Sequence, residues 1–101
     1  MNRRLNVPRE RIVAFCRKHG IRRFAIFGSA LRSDFSDESD VDVLVEFHPD
    51  RVPTLFDVAR MEQELSALFG GRKVDLRTPG DLSPYFREDV LKEAEVQYAE
   101  G

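Results

Sequence analysis

Between Asp40 and Phe47 the chain reads Asp-Val-Asp-Val-Leu-Val-Glu-Phe, and this alternation constrains the fold more than any other feature. Val41, Val43, Val45 and Phe47 fall on one side of an extended chain, with Asp40, Asp42, Leu44 and Glu46 on the other. The pattern predicts a strand with one face in the core. It also sends the Asp40 and Asp42 carboxylates to the same opposite face. Taking a charge out of water costs several kcal/mol unless it is paired or bound to a cation, so stability alone is a poor reason to keep two acids there.

The flanking sequence supplies partners for such a strand. Ile12, Val13, Phe15 and Cys16 recur at helical spacing within Val7 to His19, with Pro8 suited to a first turn and Gly20 to a C-terminal stop. Arg22 to Phe27 is predicted as a short buried strand ending at Gly28, and Gly28 to Ser39 as a loop with one helical turn around Ala30 to Arg32. Thr54 and Asp57 have capping-box spacing. They open a second helix in which Leu55, Val58, Ala59, Met61, Glu62, Leu65, Leu68 and Phe69 carry an apolar stripe up to a stop at Gly70-Gly71. Phe56 and Met61 border that stripe and read either as core or as partner surface.

Lys73 to Arg77 is a third strand, in which Asp75 points away from Val74 and Leu76. Ser83 and Pro84 are predicted to open a third helix running to about Ala94, with Tyr85, Val90 and Leu91 inward; Val96 and Tyr98 would at most add a small edge strand to a fraying end. The order helix, strand, strand, helix, strand, helix predicts an α/β (α+β) fold, a mixed sheet flanked by helices, built as a single domain over residues 1–101.

Composition narrows the function classes. No apolar run approaches the roughly 20 residues of a membrane span, and the start lacks a secretory apolar stretch, so a cytoplasmic protein without membrane contact is expected. Cys16 is the one cysteine and belongs to the core pattern of the first helix. Through Arg32 there are nine Lys or Arg and one acid, whereas the remainder carries seven bases and seventeen acids. That asymmetry suits a polyanion such as a nucleotide or RNA, or simply a solvated basic helix face.

Asp40 and Asp42 together would form a platform for Mg2+, which prefers carboxylate oxygens and completes its shell with water and phosphates. Gly28 permits a tight turn or close ligand approach at a strand end, Ser29 offers an amide and a hydroxyl to phosphate, and Arg32 lies within one turn of both. Taken singly these are a turn glycine, a capping serine, a surface arginine and a solvated strand end. If the Asp75 strand lies beside the Asp40 to Phe47 strand, three carboxylates converge, enough for two metal ions about 4 Å apart. Otherwise Asp75 neutralises Lys73 or Arg77.

Gly28-Ser29, ten residues, then Asp40-Val41-Asp42, with Leu44-Val45-Glu46-Phe47 after it and Val74-Asp75-Leu76 later, resembles the signature of the minimal nucleotidyltransferases of the DNA polymerase beta-type superfamily. The resemblance implies a polymerase beta-type nucleotidyltransferase fold and a reaction in which a hydroxyl attacks the α-phosphorus of ATP and pyrophosphate leaves. It implies catalytic and metal-binding roles for Asp40, Asp42 and Asp75 with Mg2+, two ions by that precedent, and nucleotide binding by Gly28, Ser29 and Arg32. Ser33 departs from the family, where many relatives have glycine. Members of this size are typically paired with a helical HEPN toxin and act as its antitoxin by adding AMP to a toxin tyrosine, as in a type VII-like toxin–antitoxin pair. The alternatives are a non-catalytic nucleotide-binding module that neutralises its partner by contact, or nucleotidyl transfer to RNA or a small molecule.

Overall fold

The computed structural model describes residues 7–31 and 39–100. Helix α1 (Arg9–His19) starts after Pro8 at its N-cap and ends at Gly20, whose φ of 69° is the left-handed conformation that closes many helices. Strand β1 (Ile21–Phe27) follows at once and runs into a 3-10 turn over Gly28–Leu31. Strand β2 (Val41–Phe47) has the limits expected from its alternation. Helix α2 (Leu55–Leu68) opens with the Thr54 and Asp57 capping box, in which the Asp57 amide donates to Thr54 Oγ1 at 3.1 Å and the Thr54 amide to Asp57 Oδ2 at 2.9 Å. Strand β3 (Val74–Arg77), helix α3 (Arg87–Glu93) and strand β4 (Glu95–Ala99) complete the order.

The sheet is mixed, in the order β3-β2-β1-β4. β1 is antiparallel to both of its neighbours, whereas β3 runs parallel to β2, the two joined through α2 in a crossover connection. Register then assigns the faces. Phe24, Ile26, Val41, Val43, Val45, Val74 and Leu76 lie on one side and join Ile12, Phe15, Cys16, Met61, Leu65 and Phe69 in one core cluster. On the other side the row Ala25, Leu44, Arg77 is followed by the row Phe27, Asp42, Asp75 at the sheet's end. Ala25 and Leu44 are nonetheless buried, at 2% and 4% exposure, on the face opposite α1 and α2. The segment after β3 carries the chain from one edge of the sheet to the other, and its 3-10 turn at Pro79–Asp81 contacts β2.

Three local expectations are corrected. The third helix begins at Arg87 instead of Ser83, because Ser83 O accepts both the Phe86 and Arg87 amides in a tight turn. The Arg87 guanidinium fastens that turn, donating to Pro79 O at 2.8 Å and Leu82 O at 3.1 Å. Tyr85 and Leu91 accordingly face outward, Tyr85 at 89% exposure. The chain after Ala94 is a fourth strand instead of a frayed end, since β1 has a free edge that Val96 and Tyr98 pair with. In α2 the stripe is narrower than its sequence: Met61, Leu65 and Phe69 are buried, whereas Leu55 and Phe56 in the first turn project beyond the sheet into solvent. Met61 is therefore core and Phe56 surface.

Candidate active site

Strand register builds the site. In the parallel β2 and β3 pair Asp42 lies directly opposite Asp75, and in the antiparallel β1 and β2 pair Asp42 lies opposite Phe27. Asp42 and Asp75 thus occupy one face of adjacent strands, with backbones about 4.8 Å apart. Both are half-buried. Asp40 is exposed and stands at the entrance of β2, where the neighbouring Val41 amide donates to Lys73 O at 2.9 Å and ties the starts of β2 and β3 together.

Gly28 follows Phe27 and turns the chain out of β1 with a φ of 72°. A side chain is excluded for a second reason: a Cβ at Gly28 would overlap the Asp42 carboxylate oxygen and sit 3.2 Å from its carbon. Backbone and carboxylate share space that only glycine leaves open. Ser29 follows in the first turn of the 3-10 segment. Arg32 lies outside the described residues, as do Ser33, Asp34, Asp37 and Glu38.

The structure therefore brings together Gly28, Ser29, Asp40, Asp42 and Asp75, from the ends of three strands that meet at one edge of the molecule. Among the described residues no group of three or more His, Cys, Asp or Glu side chains is placed to hold a metal ion together. An open set of carboxylates is what Mg2+ at phosphate-transfer sites ordinarily meets, since it takes one or two carboxylates and leaves other positions to water and substrate oxygens. The donor set fits that ion. A cleft of about 490 Å³ lies toward the other end of β2 and β3, lined by Phe47, Leu55, Val58, Glu62, Leu76 and Arg77 among others, and Asp40, Asp42 and Asp75 are not in its lining.

One contact near the site was not foreseen from sequence. The Leu76 amide, next to Asp75, donates to Glu62 Oε2 of α2 at 2.8 Å. The available signal was a glutamate interrupting the apolar stripe of α2.

Residues 9–96 match the family model for the nucleotidyltransferase domain. The chain belongs to this family. It is 37% identical over 76 residues to the protein adenylyltransferase MntA of Thermococcus cleftensis, covering 75% of this chain and 74% of that one. A solved structure described provisionally as a minimal nucleotidyltransferase superposes with a TM-score of 0.69 at 41% identity, over 85% of each chain. The fold is also shared, with a TM-score of 0.64 at 17% identity over 91% of this chain and 70% of the other, by a chain from a complex of tri-AMPylated Shewanella oneidensis HEPN toxin with MNT antitoxin. The mixed four-stranded sheet is thus the minimal nucleotidyltransferase fold, and the chain is a nucleotidyltransferase. No helix among the described residues is long and apolar enough to cross a membrane.

Proposed function

We propose that this protein is a Mg2+-dependent protein adenylyltransferase that moves AMP from ATP to a tyrosine hydroxyl of a cognate HEPN toxin in the cytoplasm, and so acts as its antitoxin. The observation that carries the reading is the alignment of Asp42 with Asp75 across adjacent strands while Gly28 is packed against the Asp42 carboxylate. Such packing joins the turn that would hold phosphates to the acids that would hold the ion.

In the proposed reaction Asp40, Asp42 and Asp75 are the residues that would hold Mg2+, which when bound would supply positive charge to the phosphates. Gly28 and Ser29 hold phosphate oxygens from the turn after β1, and Arg32 adds a cation from the same segment. The acceptor oxygen forms a bond to the α-phosphorus as the bond from that phosphorus to the bridging oxygen breaks. Pyrophosphate leaves, and the hydroxyl proton passes to Asp75.

The test is transfer of label from α-labelled ATP to a HEPN-family partner protein. Transfer is expected with Mg2+, to be abolished by chelation, and to fall at least about 100-fold in Asp42→Asn, as for loss of a group acting on the reacting phosphate. Unchanged transfer in Asp42→Asn would remove the assigned mechanism. Undiminished toxin neutralisation by a chain with both Asp40 and Asp42 replaced would instead establish neutralisation by contact.

A further inference from the structure

β3 has four residues and lies at an edge of the sheet, so little ladder pairing fixes its register. Register there matters unusually. A slip of one residue would turn Asp75 to the core face, and a slip of two would set Lys73 or Arg77 opposite Asp42. Lys73 O faces β2, where it accepts the Val41 amide, so alternation directs the Leu76 amide away from β2 toward the open edge. Glu62 Oε2 meets that amide at 2.8 Å.

Glu62 is a costly choice for this position. It is half-buried, adjacent to Met61 and three residues before Leu65, both core residues. One hydrogen bond from a backbone amide does little more than offset the desolvation of the acceptor that makes it, so net stability gives little reason to prefer it to an apolar residue. Its specific consequence is positional, because an acceptor on the rigid α2 helix fixes the residue that follows Asp75.

We infer that Glu62 is a positioning residue for the third carboxylate: by accepting the Leu76 amide it holds β3 in the register that keeps Asp75 level with Asp42. The inference rests on the reading that Asp75 serves the metal site. Glu62 acts on the reaction only through Asp75.

Mn2+ binding to the full chain, measured by water-proton relaxation with an α,β-methylene ATP analogue present, tests it without turnover. Glu62→Leu, which suits the stripe but accepts no hydrogen bond, is expected to weaken Mn2+ binding about tenfold, at the low end for loss of groups that orient metal ligands. Glu62→Gln keeps an acceptor and is expected to stay within about twofold of wild type. Glu62→Asp, one methylene short, should follow Leu and serves if the Leu variant does not fold. In an Asp75→Asn background Glu62→Leu should add nothing further. Wild-type Mn2+ affinity in folded Glu62→Leu or Glu62→Asp, with affinity reduced in Asp75→Asn, would overturn the inference and leave the reading of Asp75 standing. Wild-type affinity in Asp75→Asn would overturn that reading itself. A loss in Glu62→Gln as large as in Glu62→Leu would assign the effect to charge and overturn positioning.

Discussion

Gly28 and Gly70 form a matched pair in which the same substitution separates backbone strain from damage to the site. Both are left-handed, with φ of 72° and 73°. A Cβ at Gly70 would have nothing within 4 Å, whereas one at Gly28 would overlap the Asp42 carboxylate. Placing alanine in the left-handed region costs roughly 1–2 kcal/mol, and Gly70→Ala should lose about that much in urea unfolding. Gly28→Ala carries the same cost plus relief of the overlap. The Asp42 carboxyl group lies at the end of a short side chain, so the cheapest relief is its rotation, about 0.5–1.5 kcal/mol for an off-rotamer side chain. The extra instability is therefore small and the catalytic consequence large. On the proposed role of Asp42 in holding the metal, displacing its oxygen by about 1 Å is expected to slow AMP transfer about 100-fold, whereas Gly70→Ala should keep the wild-type rate. Label transfer and unfolding on the same preparations check both halves. A Gly28→Ala rate within about threefold of that of Gly70→Ala would refute the reasoning, because the shared space between turn and carboxylate would then be irrelevant to the chemistry.

The core and surface roles of α2 should separate in urea unfolding: Leu65→Ala, at a fully buried position, is expected to cost about 2–5 kcal/mol, and Phe56→Ala, at 82% exposure, less than about 0.5. Burial, with a smaller effect of the Glu100 charge, pushes the Cys16 thiol up to about 12. Roughly one molecule in 10⁴ then carries thiolate at pH 8, and Ellman's reagent should titrate no thiol in the folded protein but one in urea. Strand β4 is fastened by Tyr98 Oη donating to Glu100 Oε2 at 2.6 Å and by His48 Nε2, 2.9 Å from Glu100 Oε1. The Tyr98 and His48 contacts hold the Glu100 carboxyl below its ordinary 4.5, and the bond to Glu100 raises the Tyr98 phenol above 10. Glu100's contribution is therefore present above pH 4.5 and lost as pH falls through its lowered value, while Tyr98's is present below pH 10 and lost as pH rises through its raised one. Amide-exchange protection factors in β4 should fall at both extremes in wild type, and Glu100→Gln should remove the acid-side fall; an unchanged acid profile would discard the latch.

Most of this fold was legible where burial is one-sided. The Val41 to Phe47 alternation gave both the limits of β2 and the face of its acids, because period two admits one assignment once the apolar set must be inward. The Thr54 and Asp57 spacing gave the start of α2 through two local hydrogen bonds, and Gly20 gave the end of α1. What depends on distant partners was not legible. Nothing local says that β3 pairs with β2 or that Asp75 lands opposite Asp42; both follow from the crossover through α2. The start of α3 was misjudged because Ser83-Pro84 suits a helix start equally well as the turn that Arg87 fastens. In the site, the Gly28 contact with Asp42 and the Glu62 bond to Leu76 are meetings of residues fourteen apart, which no motif spacing reports.

The placement of the acids follows from how the sheet divides its apolar residues. The core-cluster residues of β1, β2 and β3 all lie on the helix side, which concentrates the core there. On the other face only the Ala25 and Leu44 row is buried, and the next row, Phe27, Asp42 and Asp75, stays half-open. One pleat, about 7 Å of strand, thus separates positions where a carboxylate would face a large desolvation penalty from positions where it is only half-buried. Gly28 ends β1 at this boundary, so the backbone leaves the sheet at the row where charge becomes tolerable. Withdrawing β1 by one row would leave the turn too far from the carboxylates to share a ligand with them.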